Sequence, residues 1–172
     1  AFIDENSSEE CGILISRAMK SYTKSDVAIF GLSAKTNKIN GSVTIKDAYY
    51  YAPHEDYVST MEVTHEELKL INEDFYKYKK KNAKYKKIYW SGFACEMAKK
   101  GKVKELTLPE RLRSKERIKI AFPSYYVDYP TIKFLEIRRI AEQKESKYKN
   151  ADKTVREVFE IYLSEKFPLD NH

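Results

Sequence analysis

Residues Asp56–Tyr78, DYVSTMEVTHEELKLINEDFYKY, read as a strand that passes directly into a helix. Tyr57, Ser59, Met61 and Val63 alternate with Val58, Thr60 and Glu62, the period of two that puts neighbouring side chains on opposite faces of a sheet. Thr64 follows in an N-cap position, with Glu66 and Glu67 in the first helical turn, where acids favour the positive end of the helix. A half-buried strand joined to a capped helix requires a sheet with helices packed on it.

Upstream, TIKDAYYYA (Thr44–Ala52) fits a short helix with Asp47 in its first turn, or a strand; Pro53 stops either. AKTNKINGS before it is rich in turn residues and reads as a loop. SDVAIFGLS holds a buried strand, Val27 to Phe30, ending at Gly31. Ser7-x-x-Glu10 has the capping-box pattern, and Cys11, Leu14, Ile15, Ala18, Met19 and Tyr22 follow at helical spacing.

Downstream, seven lysines between Lys77 and Lys87 read as an exposed loop. IYWSGFACEMA and KVKELTL read as two strands around the turn KKGK, with Gly101 at the turn. ERLRSKE is a connection, and RIKIAF a strand running into the loop of AFPSYYVDYPTIKF. A helix follows Pro130, and ADKTVREVFEIYLSEKF closes the chain as a helix buried along Val155, Val158, Phe159, Tyr162 and Leu163. The order predicts an α+β fold with a mixed, mostly antiparallel sheet and packed helices.

The totals fit one domain. The chain has 172 residues, 42% hydrophobic, and its 14 Tyr and 8 Phe argue against disorder. A net charge of +6 and a pI near 9.1 permit an anionic partner, but no nucleic-acid-binding motif accompanies the charge, and no nucleic acid is expected to bind here. Cys11 and Cys95 form neither a disulfide framework nor a C-x-x-C pair, and read as packed thiols. No apolar run reaches membrane-spanning length. The opening AFIDEN carries no start methionine, so the chain reads as a fragment or a processed product.

Individual motifs say little about chemistry. The glycines are scattered, without a phosphate loop. His54, His65 and His172 lie far apart, and His65, next to an N-cap, reads as surface. Pro53-His54-Glu55-Asp56 places an imidazole beside two carboxylates; a solvated turn is the simpler reading than a metal site. No catalytic or metal-binding residue is assigned. The tyrosines are more informative. Tyr49, Tyr50, Tyr51 and Tyr57 flank that tetrapeptide, and Tyr125, Tyr126 and Tyr129 line the later loop. Rings that stack on a flat base supply on the order of 1–3 kcal/mol each, although core packing is the commoner fate of a tyrosine.

The order of the segments carries more. Asp26-Val27-Ala28, then Gly41-Ser42-Val43-Thr44-Ile45-Lys46-Asp47, then Pro53-His54-Glu55-Asp56, then Thr64-His65-Glu66-Glu67-Leu68 resembles the signature half of the 5′-nucleotidase C-terminal domain, which runs A-D-I-A, G-x-I-T-x-x-D, P-F-G-N and T-G-x-x-L. RIKIAFPSYYV is similar to the family's Y-K-V-A-x-N-S-Y segment, and DKTVREVFEIYL to its closing x-T-V-R-D-x-L-x-x-Y-L. The likeness runs from about Ser8 to Leu169.

The resemblance implies the substrate-binding domain of a 5′-nucleotidase or 2′,3′-cyclic-nucleotide phosphodiesterase. Its partners are a nucleoside or nucleotide and an N-terminal metallophosphoesterase domain of the same protein, which carries a pair of divalent metals. The chain would act outside the cytoplasm in nucleotide catabolism, and alone would hydrolyse nothing. In the family two aromatic rings sandwich the base; the matching positions are His54 and Tyr125, with Tyr126 and Tyr129 in the same loop. The family's Arg in the first loop is matched by Lys35, which lacks the bidentate fork. The Asn of P-F-G-N becomes Asp56, exchanging an amide donor for a negative charge. The Asn of N-S-Y becomes Pro123. The Gly-Gly turn falls at Tyr129-Pro130-Thr131, removing backbone freedom and an N–H donor. These departures keep a second expectation open, a non-catalytic binding or surface-interaction module that kept the fold without nucleotide recognition.

Overall fold

A computed structural model describes residues 2–3, 9–32, 38–39, 41–81, 87–129 and 134–168. In chain order its elements are β1 (Phe2–Ile3), β2 (Glu9–Glu10), α1 (Cys11–Thr23), β3 (Val27–Leu32), β4 (Lys38–Ile39), β5 (Gly41–Ser42), α2 (Ile45–Tyr51), β6 (Tyr57–Val63), α3 (His65–Lys81), β7 (Lys87–Ser91), β8 (Ala94–Met97), β9 (Val103–Thr107), α4 (Glu110–Arg113), β10 (Ile118–Pro123), α5 (Tyr125–Asp128), α6 (Leu135–Ala141), β11 (Lys149–Thr154) and α7 (Val155–Lys166).

The central sheet has five strands in the order β11-β6-β10-β3-β7. β10 pairs antiparallel with β6 and parallel with β3; the two outer pairings are antiparallel. The fold is therefore the α+β arrangement with a mostly antiparallel sheet that the segment order predicts.

Alternation along the strands builds one hydrophobic cluster on each face. On one face Ala28, Phe30, Val58 and Ala121 lie under Leu14, Ile15 and Met19 of α1 and Val158, Phe159 and Leu163 of α7. On the other, Val27, Ile29, Met61, Ile118, Ile120 and Phe122 lie under Leu68, Ile71 and Phe75 of α3 and Ile137 and Ile140 of α6. Each fully buried aliphatic side chain of this kind contributes roughly 1.5–3 kcal/mol.

Three helices start with the same local device. The Asp47 carboxylate accepts the Thr44 backbone N–H and hydroxyl at 2.7 and 2.8 Å, which settles TIKDAYYYA as a helix. Glu67 accepts the Thr64 N–H at 2.8 Å while the Thr64 hydroxyl accepts the Glu67 N–H at 3.2 Å. Glu157 and Thr154 exchange the corresponding bonds at 2.8 and 3.3 Å. The bonds to the Thr44 backbone and hydroxyl hold the Asp47 carboxyl below its ordinary value.

Several expectations are corrected. α3 continues through Lys81, so the first part of the lysine-rich stretch is helix; residues 82–86 lie outside the described residues. Helical continuation needs no apolar face there, and lysine is a good helix former. IYWSGFACEMA divides at Gly92 into β7, in the central sheet, and β8, which pairs with β9 in a separate hairpin. ERLRSKE contains the short α4, and the final helix begins at Val155 because Lys149–Thr154 form a strand. Glu10, which makes no side-chain capping bond, is the N-cap of α1; Ser7 lies outside the described residues. Gly41 has φ +72°, the left-handed region that its turn demands.

Candidate functional site

The register brings the two ligand-candidate segments to one end of the sheet. Antiparallel pairing sets Pro123, the end of β10, opposite Val58, one residue into β6. Beyond those ends lie the turn Pro53–Asp56 on one side and α5 on the other. The Ser124 N–H donates to the Tyr57 carbonyl at 2.8 Å and joins them directly. The start of α7 closes the third side: the Val155 N–H donates to the Asp56 carbonyl at 2.8 Å.

Arg156 locks the turn. It is buried, and its guanidinium carbon lies 3.8 Å from the centroid of the Tyr49 ring while Nη2 donates to Glu55 Oε1 at 3.1 Å. One cation thus ties α2, the turn and α7 together. The sequence contains this residue in its TVRE motif, but the contacts are far apart along the chain and no spacing reveals them.

The structure places Asp56 beside His54 and Asp128 and joins their segments to that of Tyr125 through the Ser124–Tyr57 bond, while Tyr126 turns into the core. Asp56 is half-buried and its carboxylate accepts no hydrogen bond from any described group. Burial pushes that carboxyl above its ordinary value; the charge of Asp128 adds to the rise, and His54 opposes it. Asp128, on α5, accepts the Tyr148 hydroxyl at 3.0 Å, and Asn150 Oδ1 accepts the Ser59 hydroxyl at 2.5 Å. Burial pushes the Tyr148 phenol up. Tyr125 is half-buried, its ring tilted against Tyr126 with centroids 4.3 Å apart. Tyr57 and Tyr129 expose about half of their surfaces, 48% and 57%.

Tyr126 is a core residue. It is fully buried, packs edge-on against Phe75 and Phe134, and its hydroxyl accepts the Gly31 N–H at 2.7 Å. It supports Tyr125 from behind and offers no face to a ligand. Tyr129 turns its carbonyl to the Arg138 guanidinium. Lys35, Pro130 and Thr131 lie outside the described residues. His65, expected at the surface, is half-buried, with Nε2 3.1 Å from the Leu112 carbonyl oxygen. It lines a separate pocket of about 370 Å³ with Lys69, Glu105, Thr107 and Arg113, where none of the described ligand-candidate residues lies.

Among the described residues no three His, Cys, Asp or Glu side chains converge into a group that could hold a metal ion. Burial pushes both thiols up, Cys95 to about 11, so neither is a nucleophile at neutral pH. No described helix is long and apolar enough to cross a membrane.

The family described as "5′-nucleotidase, C-terminal domain" matches residues 3–127. The chain belongs to that family. The match includes His54, Asp56 and Tyr125 and stops before Tyr129. Solved structures extend the likeness in fold across 90% or more of the chain. The NAD nucleotidase of Haemophilus influenzae superposes with a TM-score of 0.74 at 15% identity, over 90% of this chain and 30% of that one. A 5′-nucleotidase precursor from Thermus thermophilus gives 0.70 at 16%, over 90% and 32%. A putative 5′-nucleotidase from Staphylococcus aureus, solved with α-ketoglutarate, gives 0.71 at 15%, over 92% and 34%. The chain thus spans about a third of the length of these nucleotidases. No curated protein sequence matches it.

Proposed function

We propose that this 5′-nucleotidase C-terminal domain recognises the substrate of a larger, metal-dependent phosphoesterase. Tyr125 and His54 hold the nucleoside base, Asp56 and Tyr129 border it, and Lys35 stands near sugar or phosphate. The observation that carries this role is the Ser124–Tyr57 hydrogen bond, which joins the two segments that supply the base-holding residues in the family. The water-activating metal pair belongs to an N-terminal metallophosphoesterase domain. This chain's residues bind and orient the ester; they contribute no metal ligand. Action outside the cytoplasm accords with the nucleotide-scavenging chemistry of such a parent.

Titration calorimetry of the chain with adenosine, guanosine and AMP tests the role. Saturable binding is expected, weakened roughly tenfold or more by Tyr125→Ala if its ring stacks on the base, without a matching loss of thermal stability. No heat from any nucleoside with folded protein would overturn it. That result would favour a module that kept the fold without nucleotide recognition, for which Pro123 and the Tyr129-Pro130 pair already speak.

A further inference from the structure

The Asp56 carboxylate differs from five other partly buried acids of the molecule. Asp26, Asp47, Glu67, Glu73 and Asp74 each accept at least one backbone N–H. Asp56 accepts none, and no described side chain donates to it either. It has little freedom to find a donor. Its own carbonyl is bonded to Val155, the next residue's to Ser124, and the preceding Glu55 is held by Arg156. A partly desolvated acceptor without a donor is unfavourable until something supplies one.

The charges around it narrow the choice of donor. On its own turn the neighbour is His54; from α5 it is Asp128, whose oxygen receives only the Tyr148 hydroxyl. Arg156 is engaged with Glu55, and Arg138 reaches the Tyr129 carbonyl. The surroundings of Asp56 are therefore rich in acceptors and repel a lone pair or a phosphate brought to them. Tyr125, Tyr57 and Tyr129 stand on the segments that flank Asp56, and aromatic side chains suit a flat ring.

We propose that Asp56 reads the hydrogen-bonding edge of the bound base, selecting a heterocycle with a ring N–H beside an amino group, as in guanine, over adenine. This rests on the base-holding role proposed above. Two parallel N–H donors match the two oxygens of one carboxylate, the geometry of strong bidentate pairs. Adenine sets an acceptor nitrogen beside its amino group, so it offers one bond and one repulsion. A site built around such an acceptor rejects a ligand that leaves it unpaired.

The test is calorimetric titration of the chain and of Asp56→Asn with guanosine, inosine and adenosine, with thermal melting as the control for folding. Guanosine is expected to bind about tenfold or more tighter than adenosine, with inosine, which lacks the amino group, between them. Asp56→Asn should remove that preference without lowering its melting temperature. Equal affinities for guanosine and adenosine, both lowered by Tyr125→Ala, would overturn the selection and leave the base-holding role standing. Absence of binding by every nucleoside would overturn both.

Discussion

Asp26 and Asp56 each lie just before a strand, at opposite ends of the sheet, and their surroundings differ completely. Asp26 precedes β3; its carboxylate accepts Lys115 Nζ at 2.9 and 3.0 Å, the Lys119 N–H at 3.1 Å and Arg111 Nη1 at 3.2 Å. Burial would raise its pKa, but the bonds from Lys115, Lys119 and Arg111 overcome that and hold the carboxyl below its ordinary value. Asp56 precedes β6, has burial without donors, and is pushed the other way. One acid fastens β3 to β10. The other stands beside His54 and Asp128 without a donor. An ionisable group that the fold leaves unsatisfied is a better marker of a functional site than one the fold uses.

The largest effect should come from breaking the Asp26 corner through its neighbour. Gly92 sits at φ +87°, and a Cβ there would lie 2.6 Å from the Asp26 carbonyl oxygen. Gly92→Ala therefore combines backbone strain with a collision, and should lower unfolding free energy by on the order of 2–4 kcal/mol in urea denaturation. Unchanged stability would mean that the corner is not rigid.

Asp26→Asn should lose about 2 kcal/mol at neutral pH, the scale of hydrogen bonds to a charged group. Its pH dependence follows from the lowered value. The folded state holds the ionised form, so the stability is present above the ordinary aspartate value of 3.8 and is lost as pH falls through the folded value. Denaturation curves between about pH 7 and pH 3 should show a steeper acid loss in the native chain than in Asp26→Asn. Parallel curves would remove Asp26 as the fastening acid.

What the sequence disclosed divides along the same line. The threonines of three family motifs, Thr44, Thr64 and Thr154, are helix N-caps paired with an acid three residues on, a device written within four residues and therefore legible. Strand alternation is equally local, and it placed β6, while short apolar runs placed β3 and β10. The signals that failed are non-local. Nothing near Tyr126 marks it as the core ring while Tyr125 stays half-exposed; its place is set by Phe75, Phe134 and Gly31. The partners of Asp26 lie 85 to 93 residues away, and Arg156 meets Glu55 across 101. At the break that sends β8 out of the central sheet, Gly92 has φ +87° and lies close to the Asp26 carbonyl, a contact that composition around it does not reveal. The ordered family motifs located the two segments that the Ser124–Tyr57 bond joins. Which of their side chains are satisfied could be learned only from the fold.

The smallest effect decides the comparison from the other side. Asp56→Asn should raise stability, by under about 1 kcal/mol, because it removes a partly desolvated charge beside Asp128 and breaks no bond to the folded protein. Here the sign reverses. A carboxyl raised in the folded state contributes stability below the unfolded value of 3.8, and that contribution is lost as pH rises through the folded value. The native chain and Asp56→Asn should therefore diverge in melting temperature as pH rises from about 4 toward 7, the variant being the more stable at the upper end. A destabilised variant would mean that the Asp56 carboxylate has a structural partner and resembles Asp26 after all. A stabilised variant that also loses guanosine would show an acid retained against the stability of the fold, which only a role in binding explains.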